Sequence, residues 1–440
     1  MTPRPGAVLS HSRIVLFTAF LAVHAWLALE GTVDRPSTFH DVDLYRHWVG
    51  LGLHGGQWPV LDYPWVYPPG ALAPMFVAAV AGTMHTTTYA VVWCGLVTLL
   101  DLIAVLVLIR RGNLRGAWWW IGFQALLGLI AMGRLDAIAT PIMVIALSLA
   151  LERPRLSAAL LTVGAWIKVA PGAVVVALAA AVRRPVRDVI VPAVVTCAVI
   201  VGAVVAGGGS ANLLSFLSTQ GTRGLQVESV AATPWVLAAS ADRNIVIAFN
   251  QPIVTFEITG PGTATVAKAL DAALLLAFIV LAALIWRARR RGPHVLLTAA
   301  LATLALQIVL NKVGSPQFIS WLAAPVAVAL SNGLGSSDRP ARPAREEWHS
   351  WRVLAVLLLA VAGLTQAVYP IGYGGLLRAQ LGMGLVLAAR NLLVVAVLAM
   401  TVVALVRAGH GPPPADDEDE DDDHAPAQEA DALRSSQAVR

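Results

Sequence analysis

The chain has 440 residues, 57% of them hydrophobic and 13% charged, with a mean hydropathy of +0.71. An ordinary soluble domain is about 25% charged, so this chain lacks the polar surface that a water-soluble globule needs, and a soluble enzyme is excluded. The formal charge is +5, but the acids are unevenly placed: Asp416 to Asp423 is an unbroken acidic run, and removing it and its neighbours Glu429 and Asp431 leaves a strongly basic remainder. In a chain of apolar runs such an excess marks topology, through positive inner loops, rather than nucleic-acid binding.

Twelve apolar runs follow in order: 13–30, 68–84, 89–109, 117–133, 137–151, 156–182, 189–208, 263–286, 294–312, 316–331, 353–369 and 383–406. Solid apolar runs of this kind predict membrane helices and not a β-barrel, whose strands alternate. The first run follows Arg4 and Arg13 and lacks a small-residue cleavage site, so it reads as a retained span with 1–12 on the cytoplasmic side. The arginine-rich junctions Arg110–Arg115, Arg153–Arg155, Arg183–Arg187, Arg287–Arg291 and Arg339–Arg352 are placed inside by the same rule.

Two runs then cannot be simple spans. The run 68–84 opens on Tyr67-Pro68-Pro69-Gly70 and must return to the outer side. The run 156–182 carries arginine at both ends and breaks at Lys168-Val169-Ala170-Pro171; each half is about 18 Å long, too short to cross alone. The expected fold is therefore an all-α polytopic membrane protein with about ten spans plus two re-entrant or interfacial helices. A single long span over 156–182 is the competing reading. The membrane domain covers 13–407, with outer segments 31–88 and 209–262, and the acid- and proline-rich 408–440 is expected to be a disordered cytoplasmic tail. Cys94 and Cys197, the only cysteines, sit in apolar runs and give neither a disulfide framework nor a metal site.

Unusual polar residues gather on the outer side. Phe39-His40-Asp41-Val42-Asp43-Leu44-Tyr45-Arg46-His47-Trp48 offers two carboxylates suited to general-base work or cation binding; the plain alternative is a charged juxtamembrane loop. Tyr63 to Gly70 supplies aromatics for an interfacial belt or a sugar platform. Arg134-Leu135-Asp136 is either a local ion pair or an anion-binding arginine held by its carboxylate. Lys168, within an apolar hairpin, is expensive to bury and hence a functional candidate, unless it snorkels. Arg223-Gly224-Leu225-Gln226-Val227-Glu228-Ser229 and Asn311-Lys312-Val313-Gly314-Ser315-Pro316-Gln317-Phe318 complete the set. Outer cations at Lys168, Lys312, Arg134 and Arg223 suggest an anionic ligand such as phosphate.

The order of these motifs resembles the GT-C class of integral-membrane glycosyltransferases over roughly residues 10–405. Within it the chain is most similar to glycosyltransferase family 87, the actinobacterial polyprenol-phosphate-mannose-dependent α-1,2-mannosyltransferases. The resemblance implies a GT-C bundle in the plasma membrane with its site on the extracytoplasmic face. It implies an inverting transfer of mannose from a polyprenyl-phosphate donor to a glycolipid or glycan acceptor. Asp41 is the expected base, because Asp41-Val42-x-Leu44-Tyr45 matches the family pattern better than Asp43 does. The expected substrate-binding residues are Asp43, Tyr45, His47, Tyr67, Arg134, Asp136, Lys168, Arg223, Gln226, Glu228, Asn311, Lys312 and Gln317. No metal ligand is assigned, although Asp41, Asp43, His40 and His47 leave a divalent metal open. A flippase of lipid-linked sugars, a pentose-transferring relative and a non-catalytic scaffold are the rival readings; the first predicts an internal repeat, and none is present.

Overall fold

The computed structural model describes residues 5–221, 223–251, 254–289, 295–331 and 345–410. From residue 411 on, the acidic tail lies outside these residues, as do 1–4 and 332–344. The described chain is almost entirely helical: α1 Pro5–Leu29, α2 His40–Gly55, α3 Leu72–Ala78, α4 Thr86–Arg111, α5 Leu114–Leu127, α6 Asp136–Leu149, α7 Pro154–Ile167, α8 Ala170–Ala181, α9 Val191–Ala206, α10 Ser215–Gly221, α11 Thr233–Ala238, α12 Thr263–Ala288, α13 Val295–Val309, α14 Ala323–Leu330, α15 Arg345–Gln366, α16 Tyr373–Leu377 and α17 Leu381–His410. α17 carries regular structure through residues 408–410, so the expected tail begins later than 408.

Among the described residues six stretches are long and apolar enough to cross a membrane: His11–Asp34, Thr86–Arg111, Val186–Ala206, Thr263–Ala288, His349–Ile371 and Leu381–His410. The chain is a multi-pass helical membrane protein. Among the described residues six helices, and not the expected ten, have spanning length. The α-helical parts of the runs 117–133, 137–151, 294–312 and 316–331 are 14, 14, 15 and 8 residues, with 3₁₀ turns Gly128–Ala131 and Pro316–Leu322 extending the first and the last. At 1.5 Å per residue these are roughly 12–22 Å long, short of a hydrocarbon core of about 30 Å. α6, α13 and α14 are instead the buried centre of the bundle, apolar all round because protein surrounds them.

The run 156–182 is two helices broken at Lys168, whose backbone is extended (φ −149°, ψ 130°). The halves pack against each other, and α8 also packs on α13. The 68–84 run gives only the short α3 between 3₁₀ turns. The segment 209–262, read as loop, holds α10, α11 and a small antiparallel hairpin, β1 Val246–Asn250 with β2 Thr255–Thr259. The residues Leu225 to Val227 lie along its edge, through Val227 N–H to Phe256 O (3.1 Å) and Ile258 N–H to Leu225 O (2.9 Å). A second, smaller core of Leu225, Val227, Val236, Ile258, Leu376 and Leu387 ties this cap to α16 and α17.

Candidate functional site

Asp41 enters the site through the packing of Phe39. A 3₁₀ turn, Pro36–Phe39, leads into α2, and the Phe39 ring occupies the space over both Gly31 and Gly133, where any Cβ would overlap it. Since Gly133 precedes Arg134, this wedge sets the first turn of α2 beside Arg134. Asp41 Oδ2 pairs with Arg134 Nε at 3.2 Å. One turn on, the Tyr45 hydroxyl accepts from Leu135 N–H (3.3 Å). Residues two apart on a helix point about 200° apart, so Asp43 and His47 lie on another side. Asp43 pairs with Arg46 (2.8 Å) and accepts from the Thr86 hydroxyl (2.8 Å), and His47 is exposed. Burial pushes the Asp43 carboxyl up, but Arg46 and Thr86 outweigh it and hold it below the usual range. Asp43 and His47 do not join Asp41.

Arg134 is buried and fixed on several sides. It donates to Thr38 O (3.1 Å), Gly133 O (2.9 Å) and the Tyr369 hydroxyl (3.1 Å). Burial alone would lower its pKa; Asp41 and the surrounding tyrosines reverse that, so the guanidinium stays charged. Its sequence neighbour Asp136 is not its partner. Asp136 faces Lys168 Nζ at 3.4 Å and accepts from Trp321 Nε1 (2.6 Å). The Lys168 ammonium also lies over the rings of Tyr67 (5.1 Å) and Phe318 (5.6 Å), a cation–π environment. Tyr67 stands edge-on to Tyr45, Trp48 and Trp65, so aromatics wall this side.

The two remaining motifs interlock. Gln226 N–H donates to Lys312 O (3.0 Å), and the Gln226 side-chain carbonyl accepts from Gly314 N–H (3.0 Å) and the Ser315 hydroxyl (3.4 Å). Gly314 lies so close to the Glu228–Ser229 backbone that a Cβ would overlap it. Glu228 is buried; burial pushes its carboxyl up to about 7 against the opposing fields of Arg390 and Arg134. Arg390, buried within α17, donates to Glu228 O (3.0 Å), and Asn391 donates to Ser229 O (3.4 Å). Burial lowers the Arg223 pKa, with the fields of Tyr67 and Glu257 opposing.

Of the expected residues, the structure joins Asp41, Tyr45, Tyr67, Arg134, Asp136 and Lys168 directly, while Arg223 and Glu228 belong to the loop that packs on 312–315. Lys312 does not converge with Lys168: it pairs with Asp271 (2.8 Å) and donates to Gly221 O (3.1 Å). Asn311 caps its own turn through Val313 N–H (2.9 Å), Gln226 braces the loop, and Gln317 is half-buried on the turn that carries Phe318. Sequence reading missed Tyr369, Trp321 and Arg390. Arg390 alone carried a signal, as the one charge deep within the run 383–406.

Several buried polar atoms have no hydrogen-bond partner: Asp136 Oδ2, which meets only the Lys168 ammonium, and, around the 223–229 loop, Glu228 Oε1, Arg223 Nε and Arg390 Nε. Among the described residues no three His, Cys, Asp or Glu side chains come together as a metal-binding group.

The model of glycosyltransferase family 87 matches residues 65–316, more than half of the chain, and the chain belongs to that family. The matched stretch holds Tyr67, Arg134, Asp136, Lys168, Arg223, Glu228 and Lys312, and begins after Asp41. No curated protein and no solved structure matches the chain.

Proposed function

We propose that this membrane glycosyltransferase moves a sugar, mannose on the resemblance, from a polyprenyl-phosphate donor to a glycolipid or glycan acceptor, by inversion in a GT-C-type site on the extracytoplasmic face of the plasma membrane. The observation that carries the reading is the pairing of Asp41 with Arg134 and of Asp136 with Lys168 in one cluster, beside an aromatic wall and unpartnered buried polar atoms. Buried polar groups are normally paired; these suit a ligand rich in hydroxyls and bearing one phosphodiester charge.

Asp41 takes the proton of the acceptor hydroxyl as its oxygen attacks the anomeric carbon. The bond from that carbon to the phosphate oxygen breaks on the opposite face, and polyprenyl phosphate leaves. Lys168, turning from Asp136, stabilises the charge that grows on the departing phosphate. Arg134, paired with it at 3.2 Å, holds the Asp41 carboxylate in place. Tyr45, Tyr67 and Arg223 line the space between them.

The test incubates membranes containing the protein with radiolabelled polyprenyl-phosphate mannose and a lipid extract, beside Asp41→Ala. Label entering a new glycolipid with the unaltered protein alone supports the reading. Transfer with polyprenyl-phosphate arabinose instead would reassign the donor to a pentose, and retained transfer in Asp41→Ala would remove the base.

A further inference from the structure

A second feature lies along the later turns of α8 and α12, beyond Lys168 and Asp271 in the chain. Ile285 stands 14 residues beyond Asp271 on α12, or about 21 Å along the axis. Here Val175, Val176, Ala179 and Ala180 of α8 face Ala282, Ala283, Ile285 and Trp286 of α12, with Val189 and Ile190 closing the end. The alanines on both helices leave an open, apolar groove of about 610 Å³. Trp286 also walls a second hollow of about 380 Å³ with Arg287, Arg289 and Gly409. The Arg289 guanidinium stacks over the Trp286 ring at 3.6 Å, and Arg287 Nε donates to Gly409 O (3.3 Å). Among the described residues no carboxylate pairs with either arginine. Arg183 and Arg184 follow α8 at the same end, and Arg187 precedes Val189.

We propose that this groove and hollow form a binding site for an anionic phospholipid, one acyl chain lying between α8 and α12 and the headgroup phosphate resting on Arg287 and Arg289. The chemistry on each side of Trp286 matches the two parts of one amphiphile. An apolar groove facing the bilayer is satisfied by a hydrocarbon chain, and two exposed guanidiniums at its end call for a phosphate. Trp286, half-exposed between them, occupies the boundary where an indole is at home. The acidic run Asp416–Asp423 is the competing partner for the arginines, but it gives no account of the apolar groove. The site is independent of the transfer reaction.

The full chain is placed in nanodiscs of equal phosphatidylglycerol and phosphatidylcholine, and the lipid retained after release is identified by native mass spectrometry. The expected result is one retained phosphatidylglycerol, favoured about thirtyfold, as two basic side chains at an anionic headgroup imply. Arg287→Gln with Arg289→Gln should bring the preference near unity while retention persists. Ala283→Trp should fill the groove and remove retention of both lipids, with Ala179→Leu as a milder filler should the first variant misfold. Equal retention of the two lipids by the unaltered chain overturns the proposal. So does a preference that survives loss of both arginines, or retention that survives both groove fillers.

Discussion

Asp41→Asn separates the base from its surroundings most cleanly. At 3.2 Å and an effective dielectric near 20, the Asp41–Arg134 attraction is about 5 kcal/mol gross. Desolvation of both partners offsets much of it. Arg134 keeps its bonds to Thr38 O, Gly133 O and the Tyr369 hydroxyl, and the new amide oxygen can still accept. The fold should therefore lose only about 1–2 kcal/mol, within the range of a weakened charged hydrogen bond. Transfer should fall by about 10²–10⁴, the usual worth of a general base. Asp43→Asn is the matched control. It removes a carboxylate two residues away that is turned toward Arg46 and Thr86, so its rate should stay within about threefold, as for a residue outside the reacting geometry. Initial transfer rates and thermal unfolding of both variants in the same detergent measure this. A rate for Asp41→Asn above a tenth of the unaltered enzyme, or an equal fall in Asp43→Asn, refutes the assignment.

Lys168→Met should lower kcat by about 10²-fold or more, as loss of a transition-state charge partner does, whereas Lys312→Met should chiefly lower the unfolding temperature; paired kinetics and melting curves distinguish them. Gly314→Ala places a methyl group into the Glu228–Ser229 backbone. Overpacking of this kind costs about 1–3 kcal/mol, read as a lower unfolding temperature together with reduced transfer. For Glu228 the raised pKa reverses the usual carboxylate sign. Between its ordinary 4.5 and about 7 the folded state holds a proton that the unfolded state has released, so stability falls as pH rises through that window and is level above it. The shift corresponds to about 3 kcal/mol. Glu228→Gln should flatten the stability–pH curve between pH 4.5 and 7, and an unchanged slope would show that another group titrates there.

Hydropathy located the apolar runs but not their lengths as helices. α6 and α14 are apolar on every side, as a spanning helix would be, because their surroundings are protein and not lipid. Composition along the chain cannot distinguish those two solvents. The hairpin at 246–259 was legible in the alternation Thr255-Phe256-Glu257-Ile258-Thr259, but strands this short are masked inside a chain dominated by helical runs. At the site, residue types were readable and partners were not. Arg134 and Asp136, two apart in sequence, suggested each other; the turn between them sends one to Asp41 and the other to Lys168. Lys312 looked like a second phosphate ligand because it sits at a helix end, and only the position of Asp271 on α12 shows it engaged.

The two ion pairs at the site differ in a way that assigns them different work. Arg134 is held by three further acceptors, so turning it away from Asp41 would strand a buried guanidinium; it is a fixed support for the base. Lys168 meets Asp136 Oδ2 at 3.4 Å as an ion pair without hydrogen-bond geometry. Trp321 already orients Asp136 through its other oxygen. Turning Lys168 toward an incoming phosphate leaves the buried Asp136 carboxylate with Trp321 alone, so the move is driven by the phosphate's charge, while the faces of Tyr67 and Phe318 continue to stabilise the ammonium. A lysine suits that task because its ammonium is a compact charge on a flexible stem, whereas a guanidinium suits the fixed, several-sided one. Exchanging the two cations, as Arg134→Lys with Lys168→Arg, should consequently impair transfer more than either change in net charge or volume would predict.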